Sequence, residues 1–234
     1  MRQIVLDTET TGLEIRHGNR IIEIGAVEII NRKLTGNHYH QYIQPDRESE
    51  EGALAVHGIT TEFLSDKPRF AAIAKEFLAF VDGAQLVIHN APFDVGFLNH
   101  ELQMLGSQWP KIDSICTILD SLVMARQLRP GQKNNLDALC RHFGINNAHR
   151  ELHGALLDSE ILADVYLMMT GGQVSLSLGG ESNSAGNEVT SIKRLDVNRE
   201  KLTVQFASDD ELKSHQDRLE AINKASGGEC VWLN

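Results

Sequence analysis

The chain has 234 residues, 41% of them hydrophobic and 23% charged, which suits a soluble protein with one substantial domain and something smaller. No apolar run approaches the ~20 residues of a membrane span, and no basic-then-apolar leader opens the sequence. A net charge of −10 is ill suited to gripping nucleic acid unaided, and three widely spaced cysteines, Cys116, Cys140 and Cys230, argue against a disulfide framework or a zinc cluster and for a reducing, cytoplasmic setting.

The first predicted element is a strand over residues 3–6, leading into Asp7-Thr8-Glu9. Alternate side chains share a face of a strand, so Val5, Asp7 and Glu9 point one way, with the two carboxylates roughly 6–7 Å apart. Like charges at that spacing repel, and burial adds a desolvation cost. Two readings stand open here. The acids lie in water at a frayed strand end, or they share a divalent cation.

Residues 21–30 and 38–44 read as further strands, joined by a turn at 31–36, which gives an antiparallel meander. A helix then begins at 65–68, with Phe70, Ile73, Ala74, Phe77 and Leu78 as its apolar face. The continuous run Leu86-Val87-Ile88 is expected of a central strand covered on both faces. Helices are predicted over 93–105, 115–126, 136–143 and 155–169. Strands followed by alternating strand and helices make residues 1–170 an α/β domain with a mixed sheet flanked by helices. The Gly-, Ser- and Asn-rich segment 171–189 reads as a flexible linker. Beyond it, residues 190–234 form a small α/β tail: a strand at 201–207, a helix at 209–225 opening with acids, and a closing strand at 229–233. At this size the tail is near the limit for folding alone, and it reads as a docking module that completes its core on a partner.

Two more acids sit on apolar helix faces. Asp94 precedes Phe97, Leu98, Leu102 and Leu105 by three, four, eight and eleven residues, the spacing of one helical stripe. An acid favoured by the helix dipole is the alternative account. Asp158 stands in the same relation to Ile161, Leu162, Val165 and Met169, with His153 just before that helix. Together with Asp7 and Glu9 these are four inward-facing carboxylates, an arrangement that is very costly without a cation. Oxygen ligands favour Mg²⁺ or Mn²⁺ over zinc, and two such ions can clamp the attacking and leaving oxygens of a phosphoryl displacement. A neutral His beside them can take a proton from water.

The order Asp7-x-Glu9, His89-Asn90-Ala91-x-Phe93-Asp94, His153-x4-Asp158 resembles the 3′→5′ exonuclease superfamily with four acids and a histidine. Within it, the stretches IVLDTETTG, IIEIGAVE, VHGI, LVIHN and LHGALLD resemble the proofreading subunits of bacterial DNA polymerase III. The resemblance implies a ribonuclease H-like fold and DNA with a single-stranded or frayed 3′ end as substrate. It implies two divalent cations, with Asp7, Glu9 and Asp158 at the one that carries the nucleophilic water, Asp94 and the shared Asp7 at the other, and His153 as general base. Thr8, Thr10, Thr11, Leu13, Val56, His57 and Phe93 would contact or line the terminal-nucleotide pocket. His89 and Asn90 would order the site or cap the next helix. Gly52 stands where the family commonly has an acid, so a contact to the terminal sugar is lost or supplied by Glu51. Gln173-Val174-Ser175-Leu176-Ser177-Leu178 resembles a sliding-clamp-binding motif through Gln173, Leu176 and Leu178. The tail resembles the part that binds the polymerase III catalytic subunit, with Trp232 as an anchor, and some bacteria add a small theta subunit. The rival readings are an RNA-trimming exonuclease of the same superfamily and a non-catalytic polymerase-stabilising scaffold.

Overall fold

The computed structural model describes residues 1–147, 152–171, 206–228 and 230–232. The chain divides into two units, Met1–Leu176 and Ser177–Asn234. The first carries, in order, β1 (Arg2–Thr10), a 3₁₀ turn (Ile15–His17), β2 (Ile21–Ile30), β3 (Lys33–Tyr42), α1 (Glu51–His57), α2 (Thr61–Leu64), α3 (Phe70–Val81), β4 (Gln85–Ile88), α4 (Ala91–Met104), α5 (Ile112–Ile115), β5 (Thr117–Asp120), α6 (Ser121–Leu128), α7 (Leu136–Phe143) and α8 (Ala155–Thr170). The second contributes α9 (Asp209–Ala225).

Five strands form one mixed sheet in the order β3-β2-β1-β4-β5. β2 runs antiparallel to β1 and β3, whereas β4 is parallel to β1 and β5. The alternation of β1 sorts the two cores. Ile4 and Leu6 join Phe70, Phe77, Phe97 and Leu98 on the α3/α4 side. Val5 joins Val27, Val87, Leu162 and Tyr166 on the α8 side. A helix on each face satisfies the sheet, and the fully buried run Leu86-Val87-Ile88 lies between them.

Several elements differ from their sequence reading. Residues 115–126 are not one helix. They hold the end of α5, the strand β5 and the start of α6, because Thr117–Asp120 pairs in parallel with β4. Asp120 accepts hydrogen bonds from the Leu122 and Val123 amides and so begins a new helix there. β3 starts at Lys33 rather than 38, since Asn31 and Arg32 alone make the turn, both with positive φ (51° and 62°). That is the backbone of a two-residue hairpin whose twist matches its strands. α1 and α2 lie in a stretch with no predicted element. In the tail, α9 spans the expected residues and carries a Ser208/Glu211 capping box. Residues 230–232 form a turn, not the closing strand expected there. The clamp-like segment 173–178 and most of the strand expected at 201–207 lie outside the described residues.

Candidate active site

β1 pairs with β4 only from Gln3 to Leu6. Residues 7–10 therefore run past the carboxyl end of β4 and leave one edge of β1 open, the place where open α/β sheets hold ligands. Beyond β4, Asn90 turns the chain into α4 with a left-handed backbone (φ 71°). An asparagine tolerates that conformation where most residues are strained. Its side chain makes no cap hydrogen bond, so it shapes the turn rather than capping α4. The turn aims the first residues of α4 at the open edge of β1, and the Thr8 hydroxyl donates to Asp94 Oδ1 at 2.7 Å. From the other face of the sheet, the first turn of α8 brings in Asp158, whose carboxylate lies 3.3 Å from His153 Nδ1. The His153 amide donates to the carbonyl of Val56 at 3.1 Å, which pins the loop before α8 to α1.

The result is a cleft of about 360 Å³ lined by Asp7, Thr8, Glu9, Asp94, His153 and Asp158, with His89, Phe93, Leu162 and residues 135–137 as its remaining wall. All five residues of the acid-and-histidine pattern thus meet in one place. Glu9, His153 and Asp158 each offer a ligand atom, and those atoms lie within 4.8 Å of one another. Asp7 and Asp94 add oxygens to the same cleft. An oxygen-rich donor set with several negative charges and one imidazole fits a hard divalent cation.

A second hollow of about 380 Å³ shares Thr8, Glu9 and Phe93 with the cleft and continues over Thr10, Gly12, Leu13, Glu50, Val56 and His57. Val56 stands as a partly exposed wall, and Phe93 stacks obliquely on Phe97, ring centres 4.9 Å apart. His57 is buried. Its Nδ1 accepts the Ile59 amide at 2.9 Å, so the proton sits on Nε2, which has no hydrogen-bond partner among the described residues. Desolvation lowers its pKa and keeps it neutral. Thr11 does not line this hollow. It is wholly buried and gives its hydroxyl to Asn19 Oδ1 at 2.9 Å, while Asn19 donates to Glu50 at 2.7 Å. Thr11 holds the loop that the others present. Around the position of Gly52, Glu50 and Gly52 line the hollow and Glu51 does not. Glu50 was missed because it stands in an acid-rich stretch without periodicity.

Burial pushes the Asp94 carboxyl up to about 7, against the pull of the Thr8 hydroxyl. The folded, metal-free protein therefore binds a proton there that the unfolded chain, with its ordinary value of 3.8, releases. The unfolded state binds fewer protons across this window, so the Asp94 contribution to stability is present below about 4 and is lost as pH rises to about 7. In EDTA, the Tm advantage of Asp94→Asn over the wild type is expected to widen over that range, by up to a few kcal/mol of stability. A divalent metal ion reverses the order, because it stabilises the chain that keeps the carboxylate more than the one that lacks it. Thermal melts of both proteins from pH 4 to 8, with EDTA and with Mn²⁺, check both signs.

A five-stranded mixed sheet with acids gathered at the carboxyl end of its central strand defines a ribonuclease H-like nuclease, and residues 4–166 match the exonuclease family. A solved structure titled exonuclease X in complex with 5′ overhanging duplex DNA is similar, with a TM-score of 0.57 and 28% identity over 72% of this chain and 91% of that one. The chain belongs to the family of DNA polymerase III epsilon subunits. It is 51% identical over 237 residues to the epsilon subunit of Escherichia coli K12, covering 99% of this chain and 97% of the relative. It is also 51% identical over 243 residues to that of Haemophilus influenzae, covering 99% and 94%. Its activity class is the metal-dependent 3′→5′ exonuclease.

Proposed function

We propose that this protein removes misincorporated nucleotides from the 3′ ends of DNA primers during replication. The observation that carries the reading is the meeting of four acids and His153 in one cleft beside a largely apolar hollow. Asp7, Glu9 and Asp158 would hold one divalent cation, and Asp94 with Asp7 would hold a second, as Mg²⁺ or Mn²⁺. When bound, the two cations offset the charge on the attacking and leaving oxygens of an in-line displacement.

The side chains do the rest. Phe93, Val56 and Leu13 offer apolar surface to the terminal base, and the His57 Nε2–H is a donor for its sugar or phosphate. With its Nδ1–H turned to Asp158, His153 accepts the proton of the attacking water on Nε2. The water oxygen bonds to phosphorus as the bond to the 3′ oxygen of the penultimate nucleotide breaks. That oxygen takes a proton from solvent, and the product is a nucleoside 5′-monophosphate. Preference for mismatches needs no reading of the base. A mispaired end unpairs at lower cost, so a site that accepts only single strands selects it.

With a net charge of −10, the chain depends on a partner to deliver DNA, and the relatives are named as subunits of DNA polymerase III. The tail suits that contact: Phe206, Val231 and Trp232 are more than four-fifths exposed, and α9 buries no residue. The linker motif is a second contact, to the sliding clamp. Replacing Gln173 and Leu176 by Ala is expected to weaken clamp binding by roughly tenfold or more, as loss of an anchor does, and unchanged binding in a surface-plasmon assay removes the motif from the scheme. A theta-type subunit fits the same family. Among the described residues no helix is long and apolar enough to cross a membrane, and Cys116, Cys140 and Cys230 are buried.

The test is hydrolysis of a 5′-labelled DNA primer with paired and mispaired 3′ ends, with Mg²⁺ or EDTA and an RNA strand as comparator. Metal-dependent trimming that favours DNA and mismatches is expected. A preference for RNA would move the protein to RNA processing, and no cleavage under any condition would leave a polymerase-stabilising role.

A further inference from the structure

Glu23 on β2 stands directly opposite Glu9 on β1, and residues so paired present their side chains to the same face. It is 2% exposed yet is not one of the residues lining the cleft. Its carboxylate is taken up elsewhere. One oxygen accepts the backbone amide of Ala155, the first residue of α8, at 3.1 Å. The other lies 2.7 Å from His40 Nε2 on β3. Two residues along β2, the Gly25 carbonyl accepts the Ser159 hydroxyl at 2.8 Å, and Gly25 is itself the partner of Asp7. The two β2 residues that pair with Asp7 and Glu9 are thus the two that grip the first turn of α8. Asp158 lies in that turn, next to Ser159.

We infer that Glu23 is a positioning residue of the exonuclease. It sets the distance between Asp158 on α8 and the acids of β1, while His40 holds its carboxylate from the outer strand. This rests on the reading of the cleft as a metal site. Groups that orient metal ligands without touching the metal commonly change metal affinity or activity by 10–100-fold when lost, and a sub-ångström shift of one ligand is enough to do so.

The experiment measures Mn²⁺ binding to the full chain by electron paramagnetic resonance, well below the melting temperature, together with kcat and KM on a single-stranded DNA primer. Glu23→Ala is expected to weaken Mn²⁺ binding roughly tenfold and to lower kcat more than it raises the KM for DNA. Glu23→Gln keeps an acceptor for Ala155 and a polar contact to His40, and is expected to stay within about threefold of the wild type, well inside that loss. Phe77→Leu, in the core on the other face of the sheet, serves as a variant of lowered Tm, and it should bind Mn²⁺ normally. If Glu23→Ala binds Mn²⁺ as the wild type does, or if Phe77→Leu at a matched Tm loses as much affinity, Glu23 is merely structural and the inference is overturned. If Asp7→Ala leaves Mn²⁺ binding untouched, the metal-site reading itself fails and takes the inference with it.

Discussion

Asp7→Ala is expected to lower metal-dependent primer shortening by at least roughly 10³-fold in kcat/KM. Asp7 is the one acid proposed to touch both cations, so its loss removes a ligand from each. Charge stabilisation by bound metal contributes several kcal/mol to such a transition state, and each 1.36 kcal/mol is a factor of ten in rate. Losing about 4 kcal/mol of it gives the stated drop. Stability should move the other way in EDTA. Asp7 lies with Glu9, Asp94 and Asp158 in one cleft, and removing one of several like charges relieves repulsion. The pair of measurements separates chemistry from folding: a primer assay in Mg²⁺ beside a thermal melt in EDTA. An inactive variant with an unchanged or raised Tm supports the cleft as the catalytic site. An active variant would remove Asp7 from the mechanism and leave the shared-ligand scheme without its centre.

Gly25→Ala carries the second large effect, and it acts through packing alone. A methyl group at residue 25 would fall well inside van der Waals contact of the backbone of Ala155 and Leu156. Backbone at a helix start cannot swing aside as a flexible side chain can, so α8 must lift from the sheet. Overpacking of this kind typically costs 1–3 kcal/mol, occasionally more, and here the Ser159 tie to the Gly25 carbonyl and the Glu23 tie to Ala155 would be stretched as well. A loss of about 3 kcal/mol in urea unfolding is expected. Activity should fall by roughly 100-fold even where the variant is fully folded, since a displacement near 1 Å at a catalytic group has that effect. Wild-type activity in Gly25→Ala would show that α8 needs no such close seat on β2.

Much of the site was legible in the residues. Spacing put Asp94 and Asp158 at the head of apolar stripes, with a helix-dipole role as the alternative for Asp94, and both acids are buried. The same-face pair Asp7 and Glu9 followed from the period of a strand. What the residues could not convey was the set of partners. Thr11 sits in the acid-rich block beside Thr10 and looks like a pocket residue, yet a hydrogen bond to Asn19 turns it inward. Glu23 lies in the buried run IIEIGAVE as an acid with no visible purpose until Ala155 and His40 are brought to it. Residues 115–126 carry apolar positions that serve a helix or a strand equally well, and the free edge of β4 decides in favour of the strand.

The chain by itself determined which faces are apolar, which acids point inward, and the order in which the five site residues arrive, because periods of two and of 3.6 are local properties of strands and helices. Only the tertiary structure decided that β1 outruns β4 and opens its edge at Asp7, that Gly25 and Glu23 seat α8 against that edge, and that β5 exists at all. Those are pairings between segments far apart in sequence, set by backbone hydrogen bonds and close contact across the sheet, and no local pattern of side chains encodes the partner.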